Sequence, residues 1–342
     1  MVSFAGLNHD AALLQERIER FHAVREEIIK QVRKVIVGQE EVLDQILFAI
    51  FVGGHCLMTG MPGTAKTLMV RTIADSLGLQ FRRIQFTPDL MPSDITGTDI
   101  IEEDLSTGHR KWTFVEGPIF GNILLADEIN RTPPKTQSAL LEAMQERSCT
   151  VRGHLYHLPA PFFVLATQNP IELEGTYPLP EAQLDRFLFN SVLGELSADD
   201  ELKVIDRTTA THNANVQAVT TASDLLDFQQ LVRMVPIAES ISRHVVNLVR
   251  ATRPKSETAP DFVKKYVNYG ASVRAAQFIV LASKARALSH KRYHVAFDDI
   301  HSVAVPVLRH RVLLNFHAES DGVDADDILN RLVASMPRPK VS

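Results

Sequence analysis

The sequence predicts an α/β fold in which a mostly parallel five-stranded sheet is covered by helices and followed by an all-helical domain. Five short apolar runs alternate with helical patterns in the N-terminal part of the chain, an order typical of parallel sheets covered by helices. After about Leu196 such runs stop and helical patterns dominate. Because 342 residues are many for one compact core, we expect two domains, residues 1–195 and 196–342.

The predicted elements follow one another in a regular order. Apolar residues at helical spacing in residues 11–34 predict an amphipathic helix in the first domain. The runs that we assign to the sheet are Cys56–Thr59, Phe81–Phe86, Ile123–Ala126, Phe162–Thr167 and Phe187–Val192. The main helical patterns of the second domain are Leu225–Met234, Ile237–Val249, Val273–Leu288 and Ile300–Leu314.

Two segments of the first domain predict β-hairpins between the strands of the sheet. In residues 98–115, strand-like stretches flank the turn-forming residues Asp104–Gly108. Residues 149–157 have a similar layout around the turn at Arg152, Gly153 and His154. We therefore expect two hairpin insertions in addition to the sheet.

Composition favours a soluble enzyme over a nucleic-acid-binding or membrane protein. The chain has 36 basic and 41 acidic residues, and its net charge of −5 lacks the positive surplus that polyanion binding requires. Two cysteines are too few for a disulfide framework. No run of eighteen apolar residues occurs, and residues 1–10 do not resemble a secretory signal. We expect a cytoplasmic protein with no nucleic-acid partner and no integral membrane segment.

The segment from Gly60 to Thr67 has the layout of a phosphate-binding loop, because it connects an apolar run to a helical pattern. Glycine lets successive backbone N–H groups face a phosphate, and the helix adds its positive N-terminal end. Lys66 would reach the β- and γ-phosphates, and the Thr67 hydroxyl would bind Mg²⁺. The strict pattern has glycine where this chain has Ala65. The residues that we assign to nucleotide binding here are Gly60, Pro62, Gly63, Thr64, Ala65, Lys66, Thr67 and Leu68.

A second apolar run, which begins at Ile123, ends in two adjacent carboxylates. Neighbouring side chains of a strand point to opposite sides, so Asp127 and Glu128 can serve different purposes. We assign Asp127 to the water shell of Mg²⁺ and Glu128 to the polarisation of the attacking water. The alternative is a strand that simply ends in a polar turn. Combined with the phosphate-binding loop, the two carboxylates predict nucleotide hydrolysis rather than binding alone.

These motifs resemble those of the MoxR family of AAA+ ATPases, in which alanine precedes the lysine of the phosphate-binding loop. The segments that carry the resemblance are Gly60–Thr67, Leu125–Arg131, Pro133–Gln137, Ala166–Pro170 and Gly175–Phe187. The similarity is strong over residues 35–189 and weaker in the helical remainder. It implies an AAA+ P-loop αβα sandwich followed by a helical lid, with ATP and Mg²⁺ as cofactors. It also implies a homo-oligomeric ring that is usually hexameric.

The resemblance also implies two polar groups at the γ-phosphate. Asn169, after the Phe162–Thr167 run, resembles the sensor-1 residue that orients water, although an Asn-Pro turn would have the same sequence. Arg186 resembles the arginine finger that stabilises the transition state in a neighbouring subunit. The alternative for Arg186 is an ion pair with Asp185 or Glu181 of its own chain.

Two further assignments rest on the resemblance. Arg274 resembles the sensor-2 arginine of the lid, although Val273 stands where family members often have proline. Gly38 and Gln39 resemble the segment that lies against the adenine, and a glycine that ends a helix would look the same.

Partners are implied by the resemblance rather than by individual residues. It implies remodelling or maturation of client proteins, including metal-cofactor insertion, with a von Willebrand factor A protein as adaptor. The two hairpins would face the ring pore, where Trp112 or Phe114 would contact a client or would pack across the hairpin. Two alternatives stay open at this point: an ATP-binding regulatory scaffold without processive turnover, and a nucleic-acid motor. The acidic net charge argues against the motor.

Overall fold

The computed structural model describes residues 4–103, 110–169, 175–209 and 214–338, with side chains from residue 12 onward. The strands are β1 (Cys56–Thr59), β2 (Phe81–Gln85), β3 (Gly97–Glu103), β4 (Arg110–Glu116), β5 (Ile123–Asp127), β6 (Ser148–Val151), β7 (His154–His157), β8 (Phe163–Gln168), β9 (Phe189–Val192), β10 (Val267–Tyr269) and β11 (Leu313–Leu314). The α-helices are α1 (Phe4–Arg33), α2 (Glu40–Val52), α3 (Lys66–Leu77), α4 (Pro92–Thr96), α5 (Pro134–Glu146), α6 (Glu181–Leu184), α7 (Ala198–Thr209), α8 (Ala222–Met234), α9 (Glu239–Ala251), α10 (Asp261–Tyr266), α11 (Val273–Ser289), α12 (Phe297–Leu308), α13 (Phe316–Ser320) and α14 (Ala325–Ser335).

A five-stranded sheet forms the centre of the N-terminal part of the molecule. Its strand order is β2-β5-β8-β1-β9, and all four neighbouring pairs are parallel. The predicted parallel sheet is therefore confirmed, with strand ends within two residues of the predicted runs. The register pairs Met58 with Thr167 and Ala126 with Ala166, so the carboxyl ends of β1, β5 and β8 meet at one edge. In such sheets this edge is where ligands bind.

Two apolar layers cover the faces of the sheet. One layer extends from α1, α2 and α3 across the sheet into α8, α9, α11 and α12, so the helical domain shares its core with the sheet. Phe21, Phe51 and Phe228 are fully buried there and meet edge to face with centroids 4.9 to 6.3 Å apart. The second layer packs α4 and α5 on the opposite face. Apolar burial on both faces explains why the central strands read as continuous apolar runs.

Two antiparallel hairpins stand beside the sheet. In the first, β3 pairs with β4 and Ile101 lies opposite Trp112, while the predicted turn at 104–108 lies outside the described residues. In the second, β6 pairs with β7. Phe114 stacks on Tyr156 of the second hairpin at 4.0 Å between centroids. The Trp112 side chain instead is 54% exposed, with the Arg152 guanidinium 4.1 Å from its ring centre. Both aromatic residues therefore contact the second hairpin, but the ring of Phe114 is covered there whereas Trp112 remains more than half exposed.

The C-terminal region is helical, as predicted, with one addition. The short strands β10 and β11 pair antiparallel. The predicted helix over Ile300–Leu314 is therefore too long: α12 ends at Leu308, because Leu313 and Leu314 pair with β10 instead. Among the described residues, no helix combines the length and the apolar character needed to cross a membrane.

Candidate nucleotide-binding site

The loop between β1 and α3 has the backbone of an anion-binding turn. Gly63 and Ala65 both have left-handed φ values, 82° and 56°, and Ala65 is the residue before the first turn of α3. An L-residue in this conformation costs roughly 1–2 kcal/mol, which explains why phosphate-loop patterns favour glycine here. Gly60 suits its position for another reason, because a Cβ here would lie 3.0 Å from the Leu193 Cβ, a tight approach. The loop therefore contacts the residue that follows β9.

The side chain of Lys66, the first residue of α3, reaches back to this loop. Its Nζ donates to the carbonyl oxygens of Gly60 at 2.8 Å and of Met61 at 2.7 Å. Burial lowers the pKa of Lys66, while Asp127 and Glu128 act in the opposite direction. The ammonium group is thus positioned between the loop and the carboxylates that end β5.

The end of β5 presents both predicted carboxylates at the sheet edge. The Thr167 hydroxyl donates to Asp127 Oδ1 at 2.6 Å and accepts from the Glu128 N–H at 2.8 Å. Arg83 Nη2 lies 2.7 Å from Asp127 Oδ2, and Gln85 Nε2 donates to Glu128 Oε2 at 2.8 Å. Glu128 itself has a left-handed φ of 57°. Backbone strain of this kind persists where the surrounding structure fixes the residue, and it occurs frequently at functional sites.

One cavity of about 500 Å³ brings most of the predicted site together. Asp127, Glu128 and the buried Asn169 line it beside the phosphate-binding loop. The other predicted residues in its wall are Pro62, Gly63, Thr64, Ala65, Lys66, Thr67 and Leu68. Oxygen and nitrogen groups of the right kinds for a nucleotide phosphate therefore converge at the carboxyl edge of the sheet.

Gly38 and Gln39 do not line this cavity, but they touch the chain that follows β9. Gln39 Nε2 donates to the Gly194 carbonyl at 2.8 Å. A Cβ at Gly38 would lie 3.0 Å from Leu196 Cδ2. Both residues have left-handed φ values, 66° and 59°. They are linked to the phosphate-binding loop through the Leu193–Gly194 segment.

Arg186 lies in a different cavity, of about 290 Å³, next to α5. Its Nε donates to Gln145 Oε1 and its Nη1 to the Ala182 carbonyl, both at 3.1 Å. The alternative for Arg186 was an ion pair with Asp185 or Glu181 of its own chain. Asp185 pairs with Arg311 instead, at 2.7 Å. The guanidinium of Arg186 therefore does not line the phosphate cavity of its own chain.

Comparison with known proteins decides the family. The profile of the "ATPase family associated with various cellular activities (AAA)" matches residues 55–189, and that of the "AAA lid domain" matches residues 261–332. Chaperone MoxR1 of Mycobacterium tuberculosis is 42% identical over 317 residues, which are 93% of this chain and 83% of that protein. This chain belongs to the MoxR family of AAA+ ATPases.

Two more relatives agree with this assignment. Protein YeaC of Bacillus subtilis is 42% identical over 322 residues, 94% of this chain and 97% of YeaC. A crystal structure of a proposed ATPase from Cytophaga hutchinsonii has a TM-score of 0.89 and 41% identity, and the match covers 97% of this chain and 99% of that one. As a MoxR-family AAA+ ATPase, the chain binds and hydrolyses nucleotide.

The sensor-2 candidate of this MoxR-family chain lies beside the segment that carries Arg186. Arg274 is in the first turn of α11, and its Nη1 is 3.6 Å from Asp185 Oδ2. Ser272 precedes the helix and donates to the same carboxylate oxygen at 3.1 Å. Arg274 is not in the wall of the phosphate cavity.

Four polar residues of the site were missed by sequence reasoning: Arg83, Gln85, Arg131 and Thr167. Their common feature is contact with the carboxylates at the end of β5. A signal for two of them was present, because β2 carries polar residues at positions 83 and 85 and pairs with β5. That signal was unusable without the strand order, since the sequence does not say which strand neighbours β5.

Proposed function

We propose that the chain uses ATP hydrolysis to remodel partner proteins. The observation that carries this proposal is the separation of two sets of groups. The phosphate-binding loop, Asp127 and Glu128 share one cavity, while Arg186 lies in another cavity on the same chain. In a ring, Arg186 of each chain could reach the phosphate cavity of the next chain, because a heterologous contact can repeat around the ring.

In the cavity, ATP and Mg²⁺ fit the groups that are present. The Thr67 hydroxyl and the Asp127 carboxylate would hold Mg²⁺, and oxygen donors are the ligands that this hard cation prefers. When bound, the ion would neutralise phosphate charge. Lys66 supplies a second positive charge beside the loop, and the first turn of α3, with its positive N-terminal end, lines the same space.

Glu128 is proposed as the group that polarises the attacking water. Its carboxylate is oriented by Gln85 at 2.8 Å, and its backbone N–H is fixed by the Thr167 hydroxyl. Asn169 lines the same cavity and would orient that water. A positioned carboxylate within hydrogen-bond reach of the nucleophile is what general base catalysis requires.

Arg186 is proposed to complete the site of the next subunit. Such an arginine adds positive charge where the transferred phosphoryl group becomes more negative, and it contributes roughly 10³- to 10⁵-fold to turnover in related chemistry. Within its own chain Arg186 is half-buried and bound to neutral acceptors, Gln145 and Ala182. The hydrogen bonds described for Arg186 include no carboxylate. Its guanidinium can therefore meet a phosphate without breaking any of these contacts to a charged group.

The relative from Mycobacterium tuberculosis is named a chaperone, and we extend that activity to this chain. We propose a client protein that requires maturation, including insertion of a metal cofactor, and a von Willebrand factor A protein that recruits it. Trp112 is the best candidate for client contact, because its indole is exposed on the first hairpin. Phe114 is not, since Tyr156 and Phe120 cover its ring.

The test compares ATP turnover with and without a purified von Willebrand factor A protein encoded near this gene, together with its client. We expect stimulation in the wild-type chain and its loss in Trp112→Ala, whose basal ATPase activity remains. Tyr293→Ala, which changes an aromatic residue of similar exposure in the helical domain, is the matched control. Client maturation that proceeds equally with Glu128→Gln would contradict remodelling and favour a scaffold that only binds ATP.

A further inference from the structure

The segment that carries Arg186 is attached to the helical domain of its own chain. It comprises residues 185–188, between α6 and β9, and we refer to it as the finger segment. Phe187 and Leu188 are fully buried, whereas Arg186, which precedes them in the sequence, is half-buried. The backbone is thus fixed while the guanidinium of Arg186 stays accessible.

Arg311 makes the attachment. It lies three residues after the end of α12 at Leu308. Its Nε donates to Asp185 Oδ1 at 2.7 Å, and its Nη2 donates to the carbonyl oxygens of Asp185 at 3.0 Å and Phe187 at 2.5 Å. Its Nη1 lies 3.4 Å from the Leu188 carbonyl. One guanidinium therefore contacts a carboxylate and three carbonyl groups on both sides of Arg186.

The burial of Arg311 makes loss of this contact energetically unfavourable. Its side chain is 2% exposed, and the Phe278 ring centre lies 5.1 Å from the guanidinium carbon. Burial lowers the pKa of Arg311 to about 10, opposed by Asp185, so the group is charged at neutral pH. A buried charge without its partner is strongly unfavourable. The helical domain and the finger segment therefore stay together as long as Arg311 remains buried.

We propose that Arg311 is a positioning residue for ATP hydrolysis, which sets how far Arg186 reaches into the neighbouring subunit's site. The inference rests on the proposed in-trans role of Arg186. Ser272 and Arg274 at the start of α11 also contact the Asp185 carboxylate, at 3.1 and 3.6 Å. A movement of the helical domain relative to the sheet is thus transmitted to both neighbours of Arg186 in the sequence.

The first test is Arg311→Lys in the full-length ring. Lysine keeps the charge, but its single nitrogen cannot reproduce the planar fork that reaches Asp185 and the carbonyl groups together. We expect kcat to fall roughly 10- to 100-fold, since displacement of a catalytic group by about 1 Å has this effect. Affinity for a fluorescent ADP should stay within about 2-fold of wild type, because Arg311 does not touch the phosphate cavity.

The second test separates positioning from a general effect on the helical domain. Arg311→Lys subunits are mixed with Lys66→Ala subunits, which lack a working phosphate loop but carry an intact finger segment. In a random 1:1 ring about a quarter of the interfaces pair an intact loop with an intact finger. We expect ATPase activity to recover to about that fraction. Absence of recovery would overturn the proposal, because Arg311 would then act on its own chain's site.

Two further variants cover the remaining outcomes. If Arg311→Lys does not assemble, Asp185→Asn replaces it, since this change keeps the side-chain shape and removes only the charge. The control is Asp326→Asn, because Asp326 accepts from Arg309, a lid arginine that reaches β9 at Asn190 but not the finger segment. We expect wild-type kcat for the control, and equal losses in control and test variants would contradict the proposal.

The same mixtures separate this inference from the proposed function. If Arg186→Ala mixed with Lys66→Ala also fails to recover, the in-trans role of Arg186 is wrong and the inference about Arg311 falls with it. If the Arg186→Ala mixture recovers and the Arg311→Lys mixture does not, the role of Arg186 stands and only the positioning role of Arg311 is overturned.

Discussion

The phosphate cavity and the finger segment are built in different ways. The cavity uses residues that follow or end neighbouring parallel strands, so short runs of sequence supply whole walls of it. The finger segment has only four residues, and its position depends on Arg311, more than a hundred residues later in the chain. A site made of local runs is visible in the sequence, whereas a site fixed by distant contacts is visible only in the fold.

Loss of the finger should give the largest effect on turnover. In Arg186→Ala we expect kcat to fall by roughly 10³-fold or more, with ATP still bound, because the charge acts at the transition state. Steady-state ATPase assays and equilibrium binding of a fluorescent nucleotide measure the two quantities. Lys66→Ala is the comparison, and it should lose binding as well. Equal loss of nucleotide binding in both variants would abolish the distinction between the two regions.

Loss of the catalytic carboxylate should give the next largest effect. Glu128→Gln keeps the side-chain shape and removes the group that polarises water, so we expect a fall in kcat of about 10²- to 10⁴-fold. The variant should retain bound ATP, unlike Lys66→Ala. Gln85→Ala should lose less, because it removes one hydrogen bond to the carboxylate and leaves the pair that Arg131 forms with it at 3.3 Å. Wild-type turnover in Glu128→Gln would show that Glu128 is not the base.

The difference between the regions explains what the sequence could and could not predict. Five strands and the whole phosphate-binding loop were predicted because each depends on a local pattern. The end of α12 was misplaced because Leu313 and Leu314 pair with a strand that lies far away in the sequence. Arg83 and Gln85 were missed for the same reason, since their roles depend on which strand adjoins β5. The contacts of Asp185 with Arg311 and Arg274 have no local signature at all.

His55 contacts the finger segment at Leu188 and predicts a response to acid. Its Nδ1 accepts from the Val164 N–H at 3.0 Å, its Nε2 donates to the Met144 carbonyl at 3.2 Å, and its own carbonyl accepts from the Leu188 N–H. Burial lowers the pKa of His55 to about 4. The folded chain therefore disfavours the protonated ring, and stability is lost as the pH falls from about 6.5 towards 4.

Between pH 7 and pH 5 this one residue should reduce the free energy of unfolding by about 2 kcal/mol. Denaturant titrations at the two pH values measure the loss, and His55→Gln should show a loss smaller by that amount. His290→Gln is the control, because His290 lies on the surface. An unchanged pH dependence in His55→Gln would mean that protonation of His55 does not couple to unfolding.

The smallest effect is expected at the pair that Arg83 forms with Asp127, a residue in the wall of the phosphate cavity. Arg83 lies 2.7 Å from the carboxylate that we assign to Mg²⁺, so its guanidinium would compete with the ion for that carboxylate. Arg83 is 46% exposed, and an exposed pair contributes at most about 1 kcal/mol. In Arg83→Gln we therefore expect the Mg²⁺ concentration for half-maximal ATPase activity to fall by no more than about 5-fold.

Arg82→Gln is the matched control, since Arg82 is the adjacent exposed arginine of β2 and makes no ion pair with Asp127 among the described contacts. It should leave the Mg²⁺ dependence unchanged. A higher Mg²⁺ requirement in Arg83→Gln would reverse the interpretation, because Arg83 would then hold Asp127 in position for the ion rather than compete with it. In that case each region would depend on a positioning arginine. Arg83 would position Asp127 in the phosphate cavity, and Arg311 would position Arg186 in the finger segment.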